Sequence, residues 1–120
     1  LVLIRALQDN PNYKNDDNVK KLTPYLSAKI ALANNDPNEA LIEYLKAIRI
    51  YNDVEAGLMM VAELGSQHAT KEALILLDQV EKEYHQQNPK TLKRSKAEYD
   101  LEGKRVREIL LAQLQKDTKH

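Results

Sequence analysis

Asn34-Asn35-Asp36-Pro37-Asn38-Glu39-Ala40 ends one helix and starts the next within seven residues. Asn34 and Asn35 favour a turn, because a short amide side chain bonds to local backbone and tolerates the left-handed conformation. Asp36 is an N-cap by residue type. Pro37 suits the first helical position, where its missing N–H would have no partner in any case, and Glu39 completes a capping box with Asp36. Upstream, residues 25–33 are helix formers with Leu26, Ile30 and Ala33 on one face. Downstream, Leu41, Tyr44, Leu45, Ile48 and Tyr51 recur at helical spacing.

The same reading extends in both directions. Thr23-Pro24 has the residues of a helix start, although a helix beginning at Asp17 and kinked at the proline would also accommodate them. Residues 1–7 read as a short helix and residues 8–18, rich in Asp and Asn, as a loop. Asn52-Asp53 breaks the chain again, with Asp53 as N-cap, and a helix over residues 54–64 is expected to stop at Gly65. Thr70 would cap a helix over residues 71–85, and Asn88-Pro89 punctuates the break after it. A long helix is expected over residues 91–116, with Val106, Ile109, Leu110 and Leu114 inward and Gly103 as a weak point of about 1 kcal/mol. No segment alternates with the period of a strand. The expected class is all-α, with breaks near Asn34 to Asp36, Asn52, Gly65 to Ala69 and Gln86 to Lys90.

Composition narrows what the chain can do. Its 120 residues fit one domain, residues 1–120, that buries enough surface to need no staples. Net charge is +0, with 18 basic and 18 acidic side chains, which argues against a general nucleic-acid binder. Cysteine is absent, so disulfides, thiolate metal sites and Cys nucleophiles are excluded, while cytoplasm and periplasm both stay open. Trp and Phe are absent too, and six Tyr supply all the aromatic surface. No apolar run approaches a membrane span. Leu1-Val2-Leu3-Ile4 is too short for a signal peptide. An opening on Leu rather than Met reads as a piece of a longer protein.

A repeat is visible within this helical pattern. Ala28, Ala40, Tyr44 and Ala47 are separated by 12, 4 and 3 residues; Ala62, Ala73, Leu77 and Val80 by 11, 4 and 3. The two rows are offset by 33 to 34 residues. On these residues the chain resembles the tetratricopeptide repeat (TPR) family, whose unit is an antiparallel helix pair of about 34 residues. Residues 21–54 and 55–87 are the two candidate units, and residues 89–117 a capping helix that covers the otherwise open apolar end. The sequence departs from the family pattern at Ser27, at Asn52 and in the turn Gly65-Ser66-Gln67-His68-Ala69, where the second unit is one residue short. The resemblance implies a short right-handed superhelix of stacked pairs. An irregular helical bundle is the alternative.

Chemistry-bearing residues are sparse. His68, His85 and His120 have no ligand spacing and read as surface residues. An EF-hand loop starting at Asp9 fails at Lys14 and Lys20, where Gly and Glu are required. Ser66 beside His68 is no triad, and no nucleophile elbow or phosphate-cradling glycine loop occurs. No catalytic residue, metal site or cofactor is therefore expected, and the chain reads as non-enzymatic. The resemblance implies instead a protein–protein interaction or scaffold module that holds a peptide or helix, or another part of its parent chain, in a concave face. It nominates Tyr25, Lys29, Leu32, Met59 and Glu63 as the groove. Two other functions stay open. One is a soluble regulatory appendage of a larger bacterial membrane-bound enzyme. The other is phosphate or anionic-lipid contact through Lys90, Lys93, Arg94, Lys96, Lys104, Arg105 and Arg107, although Glu98, Asp100 and Glu102 interrupt that cluster.

Overall fold

The structure is a computed structural model that describes residues 17–118. The expected helix over residues 1–7, His120 and most of the expected loop over residues 8–18 lie outside them. All described secondary structure is helical: α1 (Asp17–Ala33), α2 (Pro37–Tyr51), α3 (Val54–Ser66), α4 (Thr70–Gln86), a 3-10 turn (Pro89–Thr91) and α5 (Lys96–Thr118). Among the described residues no helix is long and apolar enough to cross a membrane. The chain divides into two compact units between Tyr51 and Asn52.

The first unit holds the α1–α2 hairpin. Its turn forms as the residues dictate: Asn35 takes φ 58, and Asp36 Oδ1 accepts from Glu39 N at 3.2 Å. The start of α1 differs from one reading of the sequence. Thr23-Pro24 does not open the helix, which runs from Asp17 with Pro24 inside it. Thr23 is buried within that helix rather than standing at its N-cap. Asp17 and Asn18, expected in a loop, belong to its first turn. The core of this unit is built on small residues: Ala28, Ala40 and Ala47 are each 0% exposed, and Tyr44 packs fully buried among them. The tight seam leaves no room for larger side chains at the three alanines.

The second unit holds α3, α4 and α5. Asp53 caps α3, its Oδ1 accepting from Glu55 N at 3.0 Å. Gly65 does not stop α3, which continues to Ser66. The left-handed position falls instead on His68 at φ 60. Gly65 is needed for a different reason: a Cβ there would lie 2.9 Å from Leu110 Cδ2. Thr70 is not the cap of α4. Ala69 holds that position with no side-chain bond, and Thr70 is buried one residue inside.

Of the second row of aligned residues, three on α4 are buried and the one on α3 is not. Ala73, Leu77 and Val80 are buried, but Ala62 is exposed. The close approach of this pair sits at Gly57, where a Cβ would meet Val80 Cγ2 at 2.8 Å.

The final helix also begins later than expected. Pro89 opens a 3-10 turn capped by Asn88, and Leu92 leaves it extended at ψ 140. Ser95 then caps α5: its Oγ accepts from Glu98 N at 3.1 Å and donates to Glu98 Oε1 at 3.3 Å. Ser95 is thus a side-chain N-cap that the apolar pattern alone conceals. The inward face of α5 is Tyr99, Gly103 and Leu110, not the expected stripe. Ile109, 66% exposed, points away from the core, and Val106 and Leu114 are half-buried. At Gly103 a Cβ would meet only the Glu81 side chain, at 3.6 Å, so the glycine leaves room rather than enforcing contact.

Candidate interaction surface

The nominated groove residues fall on both units. In the first, α1 carries Tyr25, Lys29 and Leu32. The Tyr25 ring lies 6.2 Å from the buried Tyr44 ring at 55°, and Lys29 Nζ sits 6.0 Å over Tyr25. Tyr25 and Leu32 are half-buried and Lys29 exposed. Tyr25 thus serves the core through one edge and presents the rest outward, with a cation resting on its π face. In the second unit α3 carries Met59, 48% exposed, and the half-buried Glu63 one turn further on. The structure brings the first three together and, separately, the last two.

Alongside α3 the second unit opens a concavity of about 250 Å3 lined by Val61, Ala62, Gly65, Ser66, Val106, Ile109, Leu110 and Gln113. Its walls are mostly apolar, and Ile109 on its rim is the most exposed large apolar residue of the described chain. Sequence reading missed this feature because it placed Ile109 in the core.

The basic cluster is largely engaged within the fold. Arg94 forks onto Glu55, with Nε to Oε1 and Nη2 to Oε2 both at 2.8 Å. The Tyr99 hydroxyl donates to the same Oε1 at 3.0 Å, and the guanidinium stacks 4.7 Å from the Tyr99 ring centre. Glu102 Oε2 completes the cluster as an ion contact to Arg94 at 2.5 Å, without hydrogen-bond geometry. The Arg94 bond, with help from Tyr99, holds the Glu55 carboxyl below its ordinary 4.5 against the opposing effect of burial. Lys93 lies 3.7 Å from Asp53, Lys96 Nζ donates to the His85 carbonyl at 2.8 Å, and Arg107 pairs with Asp78 at 2.9 Å and with Glu81. Both described histidines face aspartates: His85 with Asp100 at 2.9 Å and His68 with Asp117 at 3.5 Å. Among the described residues no group of three or more His, Asp or Glu is arranged to hold a metal ion. Ser66 Oγ donates to the Glu63 carbonyl at 2.8 Å, an ordinary helix-end bond.

Two tyrosines make this unit sensitive to alkali. Burial raises Tyr84 well above its ordinary 10.0, helped by the hydroxyl's bond to Asp100. Burial also raises Tyr99, helped by Glu55. The folded chain therefore keeps protons that the unfolded chain releases. The resulting stability is complete below about pH 10 and is lost as pH rises beyond it. Urea midpoints are expected to fall between pH 9 and pH 11, and Tyr84→Phe should shrink that fall. An equal fall in wild type and variant would remove Tyr84 from the explanation.

No protein-family model, no curated protein and no solved structure matches this chain.

Proposed function

We propose that the chain is a non-catalytic, TPR-like helical-repeat module that binds a peptide or helix, from another protein or from its own parent chain. The carrying observation is the recurrence of one packing device. Ala40, Tyr44 and Ala47 on α2, and Ala73, Leu77 and Val80 on α4, share a spacing of 4 and 3. All six are buried, and each second helix packs on the first helix of its own hairpin. In this reading the two hairpins stack as a short right-handed superhelix and α5, which packs on α4, closes the far end. The first helices α1 and α3 then line the binding face, offering the amphipathic Tyr25, the adaptable Met59 and charges of both signs at Lys29 and Glu63. The engagement of Arg94, Lys96 and Arg107 in internal bonds favours this reading over anionic-lipid contact, for which fewer free cations remain.

The test is position-specific capture followed by binding. A photo-crosslinking side chain at Lys29 or Met59, introduced in the cell of origin, should give discrete adducts that are missing when it stands at Ile75 or Leu111. The captured protein, produced separately, should bind the chain. It should lose at least about tenfold in affinity, worth 1.4 kcal/mol, when Tyr25 and Met59 are both alanine. Identical adducts at all four positions, or unchanged affinity in the double variant, would defeat the proposal.

A further inference from the structure

We infer that α5 is docked in two unequal halves, and that its second half, after Gly103, is a salt-sensitive arm that opens while the rest of the second unit stays folded. The inference rests on this unit alone and not on the repeat reading. The first half is anchored by burial. Tyr99 is 2% exposed, sits 5.3 Å from the Tyr84 ring, and is held from behind by the Arg94–Glu55 fork.

The second half has one apolar plug, Leu110 at 4% exposed, while Ile109 and Leu111 are 66% and 46% exposed. Its other ties are polar. Arg107 reaches Asp78 at 2.9 Å and also Glu81, Gln113 donates to the Gly65 carbonyl at 2.9 Å and to Thr70 Oγ1 at 2.6 Å, and Asp117 lies 3.5 Å from His68. Salt ions compete for the Arg107 ion pairs, and the apolar surface that release exposes is that of Leu110 with the half-buried Val106 and Leu114. Gly103, between the halves, is the residue of lowest helix propensity in α5, and its neighbourhood leaves it room. Release would carry off the α5 wall of the concavity, Val106, Ile109, Leu110 and Gln113, and uncover Val61 and Gly65.

Hydrogen exchange of the whole chain, resolved by peptide, tests this. Raising NaCl from 0.05 to 1 M should speed exchange over residues 105–116 by about fivefold or more. Residues 96–102 and helix α4 should change little. Arg107→Gln should produce the fast exchange already at low salt and remove most of its salt dependence, whereas Arg107→Lys should keep a salt dependence. Ordinary end fraying would show neither effect. If both halves of α5 and α4 exchange together with one salt response, or if Arg107→Gln leaves residues 105–116 unchanged, the arm does not exist. Protection of α4 in the same samples shows whether the variant remains folded.

Discussion

Tyr84→Ala is expected to destabilise the second unit by about 3 to 5 kcal/mol, the range for deleting a large buried aromatic side chain. Tyr84 is 1% exposed and occupies the junction of α4 and α5. Its ring meets that of Tyr99 at 5.3 Å, a tilted contact that adds to the area buried. Its hydroxyl donates to Asp100, whose carboxyl is held below its ordinary 3.8 chiefly by that bond. Removing the ring leaves a cavity that two packed helices cannot close without losing other contacts. Against typical domain stabilities of about 5 to 15 kcal/mol, the variant should be close to unfolding at room temperature. Tyr84→Phe keeps the ring and loses only the hydroxyl bond, so its cost should be about 1 kcal/mol. Urea denaturation separates the two. Similar small losses in both variants would mean that α5 does not pack on α4 at this point.

The second large effect comes from adding atoms. Ala40 and Ala73 are each 0% exposed at helix seams. Leucine at either position forces extra carbons into a closed contact, which costs about 1 to 3 kcal/mol. Ala112 on α5 is exposed, and Ala112→Leu should change stability by no more than about 0.5 kcal/mol. Ala and Leu are both strong helix formers, so only packing can separate the three variants. Equal losses at Ala40, Ala73 and Ala112 in urea denaturation would remove the seams as the organising feature of the hairpins.

The helical class and most helix breaks were legible because they depend on local chemistry. Asp36, Pro37 and Asp53 act on neighbouring backbone groups, and a sequence shows neighbours. Errors arose where a residue's role is set by a distant partner. Gly65 has the composition of a helix stop, yet it answers to Leu110. Thr70 has the composition of a cap, yet its hydroxyl accepts from Gln113. Ile109 and Leu110 are adjacent and equally apolar; which one turns inward depends on how α5 lies on α4, information absent from its own sequence. Gly57 did carry a local signal. A glycine inside a helix is unfavourable by about 1 kcal/mol relative to alanine, which points to a packing reason such as its approach to Val80. Ser95-x-x-Glu98 was also readable, and was masked by the stronger turn signal at Asn88-Pro89. For the proposed binding face, the TPR resemblance nominated Tyr25 and Met59, whose residue types suit a contact surface. The concavity beside Gly65 required knowing which face of α5 is free.

The proposed function requires the two hairpins to stack, because the binding face it proposes depends on that. The chain contains no cysteine, so Lys29→Cys with Glu63→Cys places two spin labels and no others. These positions are 34 residues apart and equivalent in the repeat reading. Packed helices have axes about 8 to 10 Å apart, so stacking predicts one narrow label–label distance centred within roughly 20 Å by pulsed electron resonance. A broad distribution, or a centre beyond roughly 35 Å, would contradict it.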